Sequence, residues 1–190
     1  ATVRSAGPES EAGPLVEALA GARALPVDAA LLLFTSGTTA RPKAALISHA
    51  NLDAQTAALA AAWGLAAGER VLHALPLHHL HGLVVALLAP LRAGAVVQML
   101  DRFEPTAVWD ALGAVDVWMA VPTMYQRLLA TYDASDVATQ QKWRTHAQRL
   151  RLATSGSAAL PARLAESWRA LAGAIPLERY GMTEIGIALS

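Results

Sequence analysis

The chain has 190 residues, 54% of them hydrophobic, and its 15 Lys and Arg residues balance its 15 Asp and Glu residues. This composition supports one sizeable buried core and excludes a disordered chain, and the balanced charge disfavours a nucleic-acid-binding surface. The chain contains no Cys, which excludes disulfides, thiolate metal sites and a cysteine nucleophile, and we expect a reducing, cytoplasmic location.

Residues 1–28 begin with many Gly, Pro, Ser and Glu residues and are predicted to form a loop or lead-in segment, with a short helix at 15–20. They lack the basic region and apolar run of a secretory signal. The most apolar stretch, residues 80–91, contains His81 and Pro90 and is well short of the roughly 20 residues that cross a bilayer. We therefore expect no transmembrane segment. Because there is no initiator Met, we expect the chain to begin inside a longer protein.

From residue 29 onward, strand-like and helix-like stretches alternate. Strands are predicted at residues 31–33, 44–47, 70–75, 95–100, 117–121, 150–154 and 176–178. Helices are predicted at residues 51–63, 80–91, 105–112, 122–132, 135–149 and 161–172, with Ser48 or Asn51 capping the first and Pro122 opening the fourth. This alternation predicts an α/β domain with a largely parallel sheet and functional loops at the strand ends.

The connection between the first two predicted strands is rich in hydroxyl side chains. It contains Thr35, Ser36, Gly37, Thr38, Thr39 and Lys43. Hydroxyls and backbone N–H groups donate to phosphate oxygens, Gly37 permits close approach of the backbone, and Lys43 adds positive charge. The segment suggests a polyphosphate-binding loop, and an ordinary polar loop is the alternative. A Walker A loop is excluded because Pro42 and Ala44 stand where that motif requires Gly and Ser or Thr.

Residues 75–82 place three imidazoles, those of His78, His79 and His81, within four positions. A metal site would need these rings on one side of the chain and further ligands, and no carboxylate lies nearby in the sequence. The rim of a substrate pocket is the favoured interpretation. The alternative is a loop and helix start whose imidazoles hydrogen-bond to the backbone.

Two later segments follow predicted strands and carry groups suited to a nucleotide. Residues 155–161 contain small side chains and open a helix, so their free N–H groups can face a flat ligand or an anion. Residues 180–184 are predicted to form a loop directly after Arg179. A base can stack on Tyr180, Thr183 can donate to a phosphate, and Glu184 can hold Mg²⁺.

Together these segments resemble the adenylate-forming superfamily of acyl-CoA synthetases, luciferases and peptide-synthetase adenylation domains. The resemblance is carried by residues 34–43, 76–79 and 180–184, in that order and at wide spacing. More narrowly, residues 75–82, 119–125, 155–161 and 178–186 resemble the malonyl-CoA synthetases. On this resemblance we expect residues 29–190 to be the central part of the large N-terminal, AMP-binding domain. The small C-terminal domain with its catalytic lysine is then expected outside this chain.

The resemblance implies that ATP and a carboxylate give an acyl-adenylate and pyrophosphate, after which the thiol of CoA displaces AMP. It implies that Lys43 and the preceding hydroxyls hold the β- and γ-phosphates, that Thr183 contacts the α-phosphate, and that Glu184 binds Mg²⁺. Lys43, Thr183 and Glu184 are thus the expected catalytic residues. The implied adenine and nucleotide contacts further include Ser157, Ala158, Ala159, Tyr180, Gly181 and Met182.

For the acyl group, the resemblance places His79 at a gate beside the carboxylate pocket and His81 in its lining. Arg179 is the candidate for binding a second substrate carboxylate, because burying an unpaired negative charge is costly and a guanidinium offers fork-like donors. A surface ion pair between Arg179 and Glu178 or another carboxylate is the alternative. Malonate or a related short dicarboxylate is the expected substrate, and the family's chemistry implies a role in fatty acid metabolism.

Two other functions stay open on the sequence: a ligase for medium-chain or aryl acids, and a non-catalytic nucleotide-binding module. The second is motivated by Ala40 and Ala44, which replace glycines usual in the family. We predict negative φ at both alanines, since a residue with a Cβ rarely adopts a left-handed conformation. The isolated chain is expected to catalyse little, because the chemical step needs elements from outside it.

Overall fold

The structure, a computed structural model, describes residues 25–35 and 43–190. The strands in these ranges are β1 (Ala29–Thr35), β2 (Lys43–Ser48), β3 (Arg70–His73), β4 (Val96–Met99), β5 (Val117–Ala120), β6 (Leu152–Ser155), β7 (Leu177–Glu178), β8 (Tyr180–Met182) and β9 (Gly186–Leu189). The α-helices are α1 (His49–Ala62), α2 (Ala89–Arg92), α3 (Pro105–Ala111), α4 (Pro122–Asp133), α5 (Val137–Gln148) and α6 (Ala162–Ala172). A π-helix spans His81–Leu88 and a 3₁₀-helix Leu112–Ala114. No helix in these ranges is both long and apolar enough to span a membrane.

The strands and helices predicted within the described ranges are present, with their ends shifted by a few residues. The α/β class is therefore confirmed. Ser48 caps α1 by accepting from the backbone N–H of Asn51, and Asn51 returns a side-chain contact to Ser48, so the two share one capping box. Pro122 opens α4 at the first helical turn, where its missing N–H is harmless. The helix predicted at 15–20 lies outside the described residues.

One prediction was wrong in detail. Residues 180–184 were expected to form a loop, but Tyr180–Met182 form β8, which pairs with β9 in an antiparallel hairpin. The short polar sequence gave no period-2 signal for a strand, and the pairing with β9 decides the conformation. Within the predicted strand 31–33, Leu32 is 56% exposed and Leu33 only 8%. Successive side chains of a strand point to opposite faces, which explains this difference.

The main sheet within the described ranges is parallel, in the order β4-β3-β5-β6-β7. β1 and β2 form a separate antiparallel pair, as do β8 and β9. β5 lies at the centre of the parallel sheet and all four of its residues are buried. Because these five strands run in one direction, their carboxyl ends and the segments that follow them share one edge.

Helices cover the sheet with a core rich in tryptophan. The ring of Trp168 lies 4.8 Å from that of Tyr125 in an edge-on arrangement, and the ring of Trp109 stacks at 5.6 Å on that of Trp143. The hydroxyl of Tyr125 donates to the backbone carbonyl of Thr154 at 2.9 Å, which joins α4 to β6. Aromatic pairs of this kind add about 0.5–1.5 kcal/mol each beyond their buried area. These contacts fix the helices against the sheet and so fix the positions of the strand ends.

Candidate active site

The candidate active site lies at the carboxyl edge of the parallel sheet. The segment after β3 carries His79 and His81, the segment after β6 carries Ser157, and the residue after β7 is Arg179. Ligands of open parallel sheets bind outside the carboxyl ends of the strands. The fold thus brings residues nearly a hundred positions apart in the sequence to a single edge.

Arg179 is buried, with 7% of its surface exposed. Its Nη2 donates to Ser157 Oγ at 3.2 Å, while its buried Nε has no hydrogen-bond partner within the described part of the chain. No ion pair among the described residues involves Arg179. The alternative of a surface ion pair is wrong, because Arg179 is buried and pairs with no described carboxylate; the Glu178 carboxylate accepts instead from the backbone N–H of Leu160 at 3.2 Å. Burial lowers the pKa of Arg179 to about 10, so the guanidinium still carries its charge at neutral pH.

Gly156 and Ser157 form the backbone surface beneath this guanidinium. A Cβ at Gly156 would lie 2.3 Å from Arg179 Nε, so the absence of a side chain lets the arginine cross the backbone. Ser157 has φ 68°, the one non-glycine residue in the described ranges with a left-handed backbone. That conformation costs roughly 1 kcal/mol or more. In this conformation the Ser157 Oγ contacts both Arg179 and His81.

His81 is buried and opens the π-helix. Its Nδ1 lies 3.4 Å from Ser157 Oγ, and its Nε2 has no partner among the described residues. Burial, followed by the nearby charge of Arg179 and the ring of His73, lowers the pKa of His81 to about 2. The imidazole is therefore neutral at physiological pH. In the tautomer in which Ser157 donates its proton to Nδ1, Nε2 carries the ring proton and is a free donor.

The start of the π-helix is fixed by two close contacts. His73, 1% exposed on β3, places its Nε2 2.8 Å from the backbone carbonyl of Gly82. A Cβ at Gly82 would lie 2.1 Å from the backbone carbonyl oxygen of Pro76. The chain can fold back this tightly because Gly82 has no side chain. Together these contacts set the direction in which His81 enters the site.

His78 and His79 are exposed, and their ring centroids are 4.2 Å apart. His81 is buried instead, so the three neighbouring imidazoles have different surroundings. Within the described ranges no group of three His, Cys, Asp or Glu side chains could hold a metal ion. The exposed position of His79 beside the buried His81 suits the rim of a pocket.

A flat, accessible surface extends from the same edge. Ser157, Ala158, Ala159 and Tyr180 are all exposed, and Tyr180 has 61% of its surface accessible. Gly181 follows in β8, where a Cβ would lie 2.3 Å from the backbone carbonyl oxygen of Gly186. Small exposed side chains and an exposed aromatic ring can accommodate a planar base. Met182 ends β8 and is 47% exposed.

Thr183 and Glu184 lie in the turn between β8 and β9. They line a cavity of about 370 Å³ whose other walls include Leu46 and Ile47 of β2 and Gln55 of α1. No ion pair within the described part of the chain involves Glu184, which is exposed. The strand that begins with Lys43 therefore shares this cavity with the two residues of the turn.

Lys43 is exposed and stands opposite Thr35 in the β1–β2 ladder. The side chain of Thr35 and the predicted loop residues Ser36, Gly37, Thr38, Thr39 and Ala40 lie outside the described residues. Ala44 is in the extended strand β2 and is not among the residues with positive φ, so its prediction of negative φ is confirmed.

The family model for AMP-binding enzymes matches residues 3–190 of the chain. The chain belongs to the AMP-binding enzyme family. It is 46% identical over 169 residues to the mitochondrial malonate–CoA ligase ACSF3 of Mus musculus, a match that covers 85% of this chain and 29% of that protein. It is also 39% identical over 175 residues to the malonate–CoA ligase of Arabidopsis thaliana, covering 86% of this chain and 29% of that protein.

Solved structures give the same relationship for this AMP-binding chain. A malonyl-CoA ligase in a ternary product complex with methylmalonyl-CoA and AMP superposes with a TM-score of 0.79 at 39% identity, covering 85% of this chain and 34% of that one. ATP-bound MatB from Rhodopseudomonas palustris superposes with a TM-score of 0.76 at 38% identity, covering 91% and 34%. The chain thus spans about a third of the length of these relatives. The resemblance to the adenylate-forming enzymes, and within them to malonyl-CoA synthetases, is confirmed.

Three residues of the candidate site were not predicted from the sequence. His73 and Gly82 flank the imidazole-rich segment, and a glycine directly after three imidazoles was a visible signal of a tight backbone contact. Gln55 lies in an Ala-rich helix and gave no signal, because its partner, Ile187, is distant in the sequence.

Proposed function

We propose that the full-length protein of this AMP-binding chain is an ATP-dependent malonate–CoA ligase. In the first step a carboxylate oxygen of malonate attacks the α-phosphorus of ATP, and the bond to pyrophosphate breaks. In the second step the thiol of CoA loses its proton to solvent, its sulfur attacks the acyl carbon, and the bond between the acyl carbon and the AMP oxygen breaks so that AMP leaves with the electron pair. Family membership and the malonate–CoA ligases among the relatives support this reaction class.

The observation that carries the choice of a dicarboxylate is the buried, unpaired guanidinium of Arg179. A buried charge without a partner is costly, and a carboxylate would offset that cost by accepting from it. Arg179 Nη2 and His81 Nδ1 contact the Ser157 hydroxyl, while Arg179 Nε and His81 Nε2 have no hydrogen-bond partner among the described residues. A buried guanidinium and an imidazole that both contact one hydroxyl suit the distal carboxylate of malonate, while the proximal carboxylate would face the nucleotide.

The phosphate side of the proposal uses Lys43, Thr183 and Glu184. Lys43 and the hydroxyls of residues 35–39 would donate to the β- and γ-phosphates, and Thr183 to the α-phosphate. These contacts would stabilise the charge that develops on the leaving pyrophosphate. Leu46 and Ile47 of β2, the strand that begins with Lys43, line one cavity with Thr183 and Glu184, and this supports binding of one ligand between β2 and the β8–β9 turn.

Mg²⁺ fits this arrangement. In phosphate sites the ion uses one or two carboxylates together with substrate oxygens and water, so an exposed single carboxylate such as Glu184 is a sufficient protein ligand. When bound, the ion would neutralise charge on the phosphates. Adenine would stack against Tyr180 and lie along Ser157, Ala158 and Ala159, with Gly181 and Met182 beside it.

The two alternatives have less support in the geometry. A medium-chain or aryl acid has no second carboxylate, so it would leave Arg179 buried and unpaired. The non-catalytic module was motivated by Ala40 and Ala44, and Ala44 occupies an ordinary strand position. A cytoplasmic location and a role in fatty acid metabolism stay predictions.

Turnover of the full-length protein tests the proposal. AMP formation should require ATP, Mg²⁺, CoA and malonate together, and the product should be malonyl-CoA by mass. Butyrate and benzoate at equal concentration serve as monocarboxylate controls. Malonate-dependent pyrophosphate exchange without CoA would isolate the first step. Equal activity on all three acids, or no ATP-dependent activity, would contradict the proposal.

A further inference from the structure

The helix α1 holds the β8–β9 hairpin through the side chain of Gln55. Gln55 Oε1 accepts from the backbone N–H of Ile187 at 2.8 Å, and its Nε2 lies 3.5 Å from the carbonyl oxygen of the same residue. The two partners are 132 positions apart in the sequence. One amide side chain thus contacts both backbone groups of a single residue, as a neighbouring strand would.

Gly186 makes this contact possible. It has φ 73°, a conformation that favours glycine, and a Cβ there would lie 1.8 Å from Gln55 Oε1. Gly186 also pairs with Met182 across the hairpin, and the backbone N–H of Ile185 donates to the carbonyl of Met182 at 3.3 Å. Ile187, which Gln55 contacts, is therefore directly next to Gly186, which closes the turn.

The turn closed in this way contains Thr183 and Glu184. Both residues line the cavity that Gln55 also lines. The hairpin has two strands of three and four residues, and an isolated two-stranded hairpin is marginally stable at best. An external clamp beside the turn would restrict the orientations of the threonine hydroxyl and the glutamate carboxylate.

We propose that Gln55 is a positioning residue that clamps the β8–β9 turn so that Thr183 and Glu184 are held ready for the ATP phosphates and Mg²⁺. Gln55 does not touch the ligand in this role. It acts through Gly186 and Ile187. The role of Gln55 toward ATP and Mg²⁺ rests on the proposed function. The contact between Gln55 and Ile187 does not depend on it.

The test compares Gln55→Met with Ser190→Ala in the full-length protein. Methionine keeps the length of the side chain and removes both hydrogen-bonding groups. Ser190→Ala is the matched control, because Ser190 Oγ accepts from Trp63 Nε1 at 2.7 Å, another contact between the α1 end and the β9 end that is remote from the turn. Circular dichroism of both variants reports whether each is folded.

Two readouts decide the question. Amide hydrogen exchange at Ile187 should become about tenfold faster in Gln55→Met, the equivalent of about 1.4 kcal/mol, and change little in Ser190→Ala. The KM for ATP should rise about tenfold in Gln55→Met, while the KM for malonate changes less than about twofold. Gly186→Ala, which places a methyl group at the Gln55 Oε1 position, should reproduce the rise in the KM for ATP.

Exchange at Ile187 and a KM for ATP that both match the unmodified protein would overturn the inference. Equal rises in the KM for ATP and for malonate would also overturn it, because they would indicate a general loss of structure. Failure of the proposed function has a different signature, since the unmodified protein would then show no malonate-dependent turnover. The exchange measurement would still decide the clamp in that case.

Discussion

Arg179 and Ser157 meet across the carboxyl ends of two neighbouring strands, with Arg179 Nη2 donating to Ser157 Oγ at 3.2 Å. Ser157 holds a left-handed backbone conformation at this point, and Gly156 leaves room for the guanidinium. A serine hydroxyl does not neutralise a buried cation. The positive charge of Arg179 is therefore not balanced by Ser157, and an anionic ligand would balance it.

Arg179→Leu should lower kcat/KM for malonate by about a hundredfold or more, because the distal carboxylate would lose its charged partner. Monocarboxylates such as butyrate should keep or gain activity, since leucine removes an unpaired charge from the pocket. Steady-state kinetics on both acids in the full-length protein measure this difference. Arg169→Leu is the control, as Arg169 is an exposed arginine that pairs with Glu166. An equal loss for both acids would mean that Arg179 supports the fold or the nucleotide site.

Lys43→Ala should lower adenylation by roughly ten- to a thousandfold through loss of a charged contact with the leaving pyrophosphate. Malonate-dependent exchange of labelled pyrophosphate into ATP measures that step without CoA. Lys142→Ala is a suitable control, because Lys142 forms an exposed ion pair with Asp110 at 2.7 Å, far along the chain from the phosphate residues. An exchange rate in Lys43→Ala equal to that of the control would contradict the assignment.

Gly82→Ala should destabilise the protein by about 1–3 kcal/mol, because the added methyl group collides with the Pro76 carbonyl. It should also lower kcat/KM for malonate, since the displaced π-helix start carries His81. Urea unfolding and malonate kinetics measure the two effects. Gly64→Ala is the control for the malonate kinetics: beyond its chain neighbours no atom lies within 4 Å of the added Cβ, and its φ of 57° costs roughly 1 kcal/mol or more of stability without touching the π-helix start. Normal malonate kinetics in Gly82→Ala would show that this contact does not position His81.

Folding stability should depend on pH through His81. The pKa of the folded ring is lowered to about 2, while an unfolded histidine has a pKa of about 6.5. Below about pH 6.5 the unfolded state binds a proton that the folded state does not, so stability falls as the pH falls, by up to about 1.4 kcal/mol per pH unit. Urea unfolding between about pH 7 and pH 5 measures this slope. His81→Gln should have a shallower slope, and identical slopes would show that His81 takes up its proton in the folded protein.

Much of the fold could be predicted from the sequence because its signals are local. The alternation of apolar strands with capped helices depends on neighbouring residues, as in the capping box of Ser48 and Asn51 and the opening of α4 by Pro122. The chemical inventory of the site was also visible, since Lys43, Thr183 and Glu184 occur in short segments with characteristic spacing. These features determined the α/β class and the family.

Tertiary structure decided the features that depend on contacts between distant segments. Residues 180–182 have no strong strand propensity and become β8 because β9 supplies backbone partners. The burial of Arg179 follows from the strands and helices around it. An arginine at this position of the sequence could equally have formed an ion pair on the surface. Gln55 contacts Ile187 only because α1 packs beside the hairpin. Sequence patterns report local backbone preference, whereas burial and long-range hydrogen bonds arise only when the whole domain has packed.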